Sequence, residues 1–333
     1  VDVRLDAPLA SAKARDAQVR QGELHLALQA PYPDLGRGRL DGQVTASARV
    51  SAAAAEIGDR RLERATLTAN LQGGAKGGIA DLSFVGSGSG ELNAATATGL
   101  GGRTGPLKVS ATAQDARWSR AGGDQASGKL ALTARGENIA AGDLRFSALS
   151  LAAHGPVAVR AEGLKGELVA SAVGHGAWTG LGPPQAADAP SLVALKRLAR
   201  GFDLSAPAVN LAFRDAGPSL ALPRPVRLAG ANGAHAVLAG RDGKAVFGPT
   251  GGAFRLTAAG GGLPSLDADV SRLDIRDGRA TAAGRLRAAD LSLGPVRDGH
   301  IDAAGALEAA GGRVTFAASR CVEGGAPRLE FGA

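Results

Sequence analysis

Apolar residues recur at every second position in segment after segment of this chain. Leu24, Leu26 and Leu28, for example, alternate with His25 and Ala27. Successive side chains of a β-strand point to opposite faces of a sheet, so each such segment predicts a strand with one apolar face. Sheets of this kind are antiparallel in most proteins, and the pattern therefore predicts a mainly antiparallel, all-β fold. The alternates that we expect to line the apolar face are Leu24, Leu26, Leu28, Leu67, Leu71, Leu107, Val109, Leu130, Leu132, Val209, Leu211, Phe213, Phe254, Leu256, Leu266, Val270, Val314 and Phe316.

Turn dipeptides separate many of these segments. Asp-Gly and Asn-Gly pairs suit the positive-φ positions of two-residue hairpins. The pairs from which we predict hairpin turns are Asp41-Gly42, Asn232-Gly233, Asp242-Gly243, Asp277-Gly278 and Asp298-Gly299.

The composition offers little to cover so much apolar strand surface. Aromatic residues make up 3% of the chain, and 50 of its 333 residues are glycine. Small side chains bury little apolar area. Two stacked sheets, a closed barrel, or a trough that holds an apolar ligand would each remove these faces from water. The scarcity of aromatics disfavours a thick sandwich, and glycine permits coiling, so we expect an elongated, strongly twisted sheet curled into a groove.

One segment has helical rather than strand periodicity. Residues 190–200 read PSLVALKRLAR, which predicts a single short helix with Asp188 as its N-cap. We expect this helix to pack against a sheet end rather than to lie on a membrane surface. The residues expected to form its packing stripe are Leu192, Leu195, Leu198 and Ala199.

The stretch before this helix, residues 180–189, is rich in Pro, Gly and Ala and is typical of a linker. We therefore predict three sections. Residues 1–180 form an N-terminal β-groove section, residues 181–202 a linker with the amphipathic helix, and residues 203–333 a C-terminal β-groove section.

The residue types that carry catalysis or bind metals are scattered. None of the five histidines has metal-ligand spacing to another or to Cys321. The segment 123–130, GDQASGKL, lacks the final Ser/Thr of a phosphate-binding loop and leads into a strand pattern, so we treat it as coincidental. Asp267 and Asp269 share a polar strand face, which favours a solvated surface over a calcium site. We expect no catalytic residues, no metal and no cofactor.

The chain carries a net charge of +7, but its arginines are dispersed and form no dense basic run. We therefore expect them to solubilise the surface, and we expect no nucleic-acid partner. No apolar run approaches the roughly 18 residues of a membrane-spanning helix. Since the chain has no Met and begins at Val1, we expect it to be a section of a longer protein.

Two passages carry a family resemblance. They are RLRAADLSLGPVRDGHIDAAGALEAAGGRVTF at 285–316 and LKRLARGFDLSAPAVNLAF at 195–213. Both resemble the YdbH-like proteins, which belong with the AsmA-like and TamB proteins of Gram-negative envelopes. The resemblance implies an inner-membrane anchor, a long groove of strands lined by apolar residues, and movement of phospholipid between the inner and outer membranes.

We accordingly expect a non-enzymatic, monomeric section that lies in the periplasm and is tethered to the inner membrane by a segment outside this chain. Its partners would be phospholipid acyl chains and membrane proteins at either end. The alternative is a structural or adhesive all-β, β-helix-like envelope protein without a ligand, although a tight repeat period is not evident. An enzyme whose site is assembled from distant loops is a third reading, and the scattered catalytic residue types disfavour it.

Overall fold

A computed structural model describes residues 1–14, 17–34, 36, 38–78, 80–121, 123–161, 163–241, 243–249, 251–276, 279–293, 296–311 and 313–329. Nearly all of the regular structure in these residues is β-strand, and the pairings that have a defined register are all antiparallel, which confirms the all-β prediction. The chain divides into two units. Unit 1 comprises Val1–Gly142 and Phe146–Val169, and unit 2 comprises Asp143–Arg145 and Ala170–Ala333.

Unit 1 is an antiparallel meander in which each long strand pairs with its neighbours in sequence. β1 pairs with β2, β2 with β3, and β3 with β4. β4 pairs with β5 along one part of its length and with the short β6 along another. β5 then pairs with β8, and β6 with β7. Both β8 and β7 pair with β9. β9 also pairs with β10. The strands are β1 (Asp2–Ala14), β2 (Ala17–Gln29), β3 (Gly42–Ile57), β4 (Arg60–Lys76), β5 (Ser83–Ala94), β6 (Thr96–Gly99), β7 (Gly102–Thr104), β8 (Leu107–Ser119), β9 (Gln125–Ala141) and β10 (Leu144–Arg160).

A line of irregular residues crosses unit 1. Gln21 in β2 and Arg64 in β4 both have a φ of 48°, and Ala53 of β3 lies between them in the register without a paired partner. A residue in this conformation interrupts the pleat and bends a strand, as bulges do. The alternation shifts by one position across the line. On β4, the residues that point to the leucine-bearing side of the sheet are therefore odd-numbered around Leu67 and even-numbered around Leu62. This change keeps the apolar side chains on one face of the sheet.

Unit 2 contains a second antiparallel ladder. β12 pairs with β13 along one part and with β14 along another, and the ladder then runs from β14 through β19 in sequence order. β19 pairs with β20, β21 and β22. The strands are β11 (Gly163–Trp178, which has residues in both units), β12 (Phe202–Arg214), β13 (Gly217–Ala221), β14 (Val226–Gly230), β15 (His235–Gly240), β16 (Gly252–Gly260), β17 (Leu263–Arg276), β18 (Arg279–Leu293), β19 (Val296–Ala310), β20 (Arg313–Ala318), β21 (Glu323–Gly325) and β22 (Arg328–Leu329).

The predicted helix is present as α1 (Pro190–Arg200), the one α-helix of the described residues, and it contacts β14, β17 and β18. Its predicted cap and stripe are partly wrong. Ala189 is the N-cap, and no side chain bonds to the cap. Leu192 and Leu195 are exposed, because the buried face is made of Ala194, Lys196, Leu198 and Ala199. No helix in the described part of the chain is long and apolar enough to cross a membrane.

The turn predictions had mixed outcomes. Asn232-Gly233 lies in the turn between β14 and β15, but residues 231–234 separate the two strands, so this is not the predicted two-residue hairpin. Asp298-Gly299 lies inside β19, where Asp298 has a φ of 56° and marks a register shift rather than a hairpin. Asp41 ends a longer connection and Gly42 begins β3, so this pair forms no two-residue hairpin. Asp242 and the pair Asp277-Gly278 lie outside the described residues.

The buried residues differ between the two units. Glycine aside, the buried apolar residues in the described part of unit 1 are alanines, namely Ala52, Ala65, Ala75 and Ala94. Unit 2 also buries larger side chains, including Leu198 of α1, Phe202 and Val246. Alanine buries little area, so the face of unit 1 that carries the leucines is not sealed by a core of its own.

Candidate functional site: an apolar face in unit 1

The strand register of unit 1 brings the predicted apolar residues onto one face. Residues directly opposite one another in an antiparallel pair have their side chains on the same side of the sheet. Three neighbouring rows can be followed across seven strands. They are Val3, Leu28, Ala46, Leu71, Gly88, Ala113 and Leu130; then Leu5, Leu26, Ala48, Ala69, Gly90, Ala111 and Leu132; then Ala7, Leu24, Val50, Leu67, Leu92, Val109 and Ala134.

All nine residues predicted for this half of the chain lie on that face. Eight of them are in the three rows, and Leu107 follows beyond Val109, opposite Ala94 and Gly136. Every row is purely apolar, whereas the alternate positions of the same strands are mostly Ser, Thr, Asn, Gln or charged. We call this surface the apolar face.

The apolar face remains partly open to solvent, since its residues are either exposed or of intermediate burial. Leu67 is 45% exposed and Leu71 is 39% exposed, although both lie on an inner strand with partners on each side. Leucines in a packed core are almost fully buried. The described residues of unit 1 therefore leave this face without a covering layer.

Glycines on β5 form the floor of the apolar face. Gly86, Gly88 and Gly90 occupy successive inward positions of this strand. A Cβ on Gly86 would lie 2.7 Å from the ring of Phe84, and a Cβ on the opposite Gly73 would lie 2.6 Å from it. The phenyl ring therefore lies across two glycines, an arrangement that shields bare backbone. Because Gly88 and Gly90 have no side chains, β5 projects nothing from the middle of the apolar face.

Two apolar cavities lie along this face. The first has a volume of about 490 Å³. Its lining includes Val44, Leu71, Phe84, Trp118 and Leu130. The second, of about 460 Å³, lies beyond the line of irregular residues, and its lining includes Leu62, Leu107 and Ile139. Both volumes fall in the range of roughly 300–1,000 Å³ that is usual for small-molecule sites.

The predicted residues of unit 2 are less uniformly placed. Leu256, Leu266 and Val270 belong to rows shared by β15 to β19, and Phe254 lies opposite Val270. Phe316 lies opposite Leu307 on the same ladder. At the outer strand β20, Val314 and Phe316 are exposed. Three other residues lie on the part of β12 beyond its pairing with β14, with Leu211 and Phe213 opposite β13 and Val209 just before them.

Helix α1 covers one end of the unit 2 sheet. A Cβ on Gly230 of β14 would lie 2.9 Å from Leu198 Cδ1, so the helix approaches the strand closely. Lys196 Nζ donates to Asp188 Oδ2 over 2.8 Å, and each of the two side chains is only 10% exposed. The hydrogen bond from the Lys196 ammonium is the main cause that holds the pKa of Asp188 below its usual value. A hydrogen bond from the backbone N–H of Gln185 is the second cause. The predicted capping residue thus fixes the preceding loop to the helix.

The polar face of unit 2 carries a network of arginine–aspartate pairs. Arg255 donates to both carboxylate oxygens of Asp267 at 2.8 Å, and Arg241 Nη1 donates to Asp269 Oδ1 at 2.7 Å. Asp302 accepts from three arginines, Arg285, Arg287 and Arg320. The Arg285 guanidinium in particular lowers the pKa of Asp302 well below the usual range. Asp267 and Asp269 are therefore partners of arginine, and among the described residues no group of three potential metal ligands is found.

A comparison with family models, with curated proteins and with solved structures finds no match to this chain. The family resemblance therefore stays a prediction. Sequence reasoning missed the contribution of Gly86, Gly88 and Gly90 to the apolar face. They were missed because glycine has no side chain from which its face of the strand can be recognised. The available signal was their alternation with Val85, Ser87 and Ser89.

Proposed function

We propose that the chain is a non-enzymatic, lipid-binding section of an envelope protein, and that it conducts phospholipid between the inner and outer membranes of a Gram-negative cell. The observation that supports this proposal is the half-exposed apolar face of unit 1 with its two cavities. Acyl chains would supply the covering layer that the described residues of unit 1 do not.

The energetics favour a long apolar ligand over a compact one. The rows of the apolar face cross seven strands, and neighbouring strands are about 4.8 Å apart. Burying one methylene group is worth about 0.8 kcal/mol, so an acyl chain gains affinity with every carbon that contacts the face. Most of the lining of both cavities is Leu, Ile, Val, Ala, Gly, Phe and Trp, which impose no directional bonds on the ligand, and the polar members include Arg103 and Lys129. Such a surface lets a chain slide, and conduction requires no chemical step.

Lipid extraction provides the direct test. Protein purified from a lipid-containing host is expected to carry phospholipid, measured by mass spectrometry of an organic extract. Leu132→Asp places a charge in the middle row of the apolar face, and it should abolish this lipid while leaving the β-sheet circular dichroism signal intact. Thr133→Asp puts the same charge on the exposed opposite face of β9 and is the matched control.

Two results would contradict the proposal. The first is an extract without lipid from the unmodified protein. The second is unfolding caused by Leu132→Asp but not by Thr133→Asp, since that would place Leu132 in a closed core.

A further inference from the structure

A small cavity of mixed polar and apolar lining lies where β5 begins, β8 ends, β9 begins and β10 ends. Its volume is about 300 Å³. Hydroxyl, amide and guanidinium groups make up about half of its lining residues, and no carboxylate is among them. Its polar lining residues are Ser83, Arg117, Ser119, Gln125, Ser127 and Arg160.

The register explains why these groups converge. Arg117 of β8 lies directly opposite Ser127 of β9, and the next row places Ser119 opposite both Ser83 and Gln125. Neighbouring strands are about 4.8 Å apart, so side chains on these rows can contact one ion together. The two rows therefore place hydrogen-bond donors next to one another on β5, β8 and β9.

The two arginines at this cavity form no ion pair with a described residue, although the charge of Arg117 helps to lower the pKa of Asp115. Lys129 Nζ pairs with Asp115 at 2.8 Å, and Arg120 lies 3.9 Å from Asp124, so the nearby carboxylates already have cationic partners. Within the described part of the chain, Arg117 and Arg160 have no carboxylate at ion-pair distance. Two exposed guanidinium groups thus face a cavity lined by neutral donors, and guanidinium binds phosphate in charge-assisted, often bidentate fashion.

This small cavity adjoins the first apolar cavity. Both are lined in part by Phe84, Arg117, Trp118, Ala126 and Ser127. Phe84, Trp118 and Ala126 lie opposite one another on the apolar face, whereas Arg117 and Ser127 are on the alternate positions of the same strands. The two cavities therefore meet at the strand ends, and long arginine side chains there can carry their charged heads around the rim.

We infer that Arg117 and Arg160 form a binding site for the phosphate head group of a lipid whose acyl chain occupies the first apolar cavity. This inference rests on the proposed lipid-binding function and adds to it a place and a chemistry for head-group recognition. A phosphate-bearing lipid satisfies both cavities at once, whereas a neutral lipid satisfies only the apolar one.

Three soluble or micellar probes separate the possible sources of the phosphate. They are a fluorescent phosphatidic acid, the diacylglycerol with the same acyl chains and dye, and glycerol phosphate as a competitor. The unmodified protein should bind the phosphatidic acid about tenfold or more tightly than the diacylglycerol, as expected for hydrogen bonds to a charged group. Added salt should reduce this preference.

The double variant Arg117→Gln with Arg160→Gln should lose the preference, so that phosphatidic acid and diacylglycerol bind with similar affinity. Arg135→Gln, on the exposed side of β9 and outside both cavities, is the charge-matched control and should keep the preference. Circular dichroism and denaturant unfolding verify that each variant is folded.

Equal binding of the two lipids by the unmodified protein would overturn the head-group site while leaving the lipid-binding function intact. A preference that survives in the double variant would also overturn the assignment to these arginines. Binding of glycerol phosphate with no binding of either lipid would refute the link to a lipid and, with it, the proposed function.

Discussion

Filling the floor of the apolar face distinguishes an open trough from a packed core. Gly90 lies in the middle row between Ala69 and Ala111, and the two cavities lie to either side of that row. A Cβ at this position would meet nothing closer than a carbonyl oxygen at 3.5 Å, which is ordinary van der Waals contact. Gly90→Leu therefore adds a side chain that points into open space without straining the strand.

The two architectures predict opposite changes in stability. Glycine inside a strand costs roughly 0.5–1 kcal/mol relative to alanine, so Gly90→Leu in an open trough should raise the free energy of unfolding by about that amount. In a packed core the same change would overfill the site and lower it by about 1–3 kcal/mol. Denaturant unfolding measures the difference.

The same substitution should impair lipid binding. A leucine side chain displaces about four methylene groups of a ligand, or about 3 kcal/mol at roughly 0.8 kcal/mol each. This corresponds to about a hundredfold loss of affinity in a titration with a fluorescent fatty acid. Ser89→Leu adds the same side chain to the opposite, exposed face of β5 and should leave binding unchanged. A destabilised Gly90→Leu protein, or one that binds as tightly as Ser89→Leu, would refute the reasoning.

Two further predictions concern the framework of each unit. Because the native pKa of Asp188 is depressed by its buried lysine partner, its contribution to stability is full above about pH 3.8 and is lost as the pH falls through the lower native value. Asp188→Asn should therefore be less stable than the unmodified protein at pH 7. In thermal unfolding measured over a series of acidic pH values, the difference in unfolding temperature between the two proteins should shrink below pH 3.8. A difference that does not change with pH would contradict the role of the ion pair. Gly73→Ala should destabilise unit 1, since its Cβ would lie 2.3 Å from a carbonyl oxygen of β5, whereas Gly74→Ala, with nothing closer than 3.9 Å, should not; equal unfolding midpoints would be evidence against the close approach.

The fold class and the facing of most strands were predictable, because period-two alternation is a local property of the chain. Leu67 and Leu71 could be placed on the same face as Leu130 only by assuming a register, and the structure supplies it. The bend at Gln21 and Arg64 was not predictable. Both residues have side chains that usually avoid positive φ. Gly22 follows Gln21, but it does not itself adopt the positive φ, and no glycine or proline lies next to Arg64.

The polar contacts were less accessible to sequence reasoning than the apolar ones. The burial of Lys196 depends on the loop that carries Asp188, and a helical wheel shows only the charge. Arg117 and Arg160 are separated by more than forty positions, and they meet at one cavity only because strand ends coincide there. Register and loop conformation, rather than periodicity, determine such contacts.

The neighbour-to-neighbour pairing of unit 1 has a consequence for how such a protein changes in length. A hairpin that is added or lost must match only the strands on either side of it, so the pairings farther along the meander stay in place. The number of strands can therefore change without alteration of the remaining sheet.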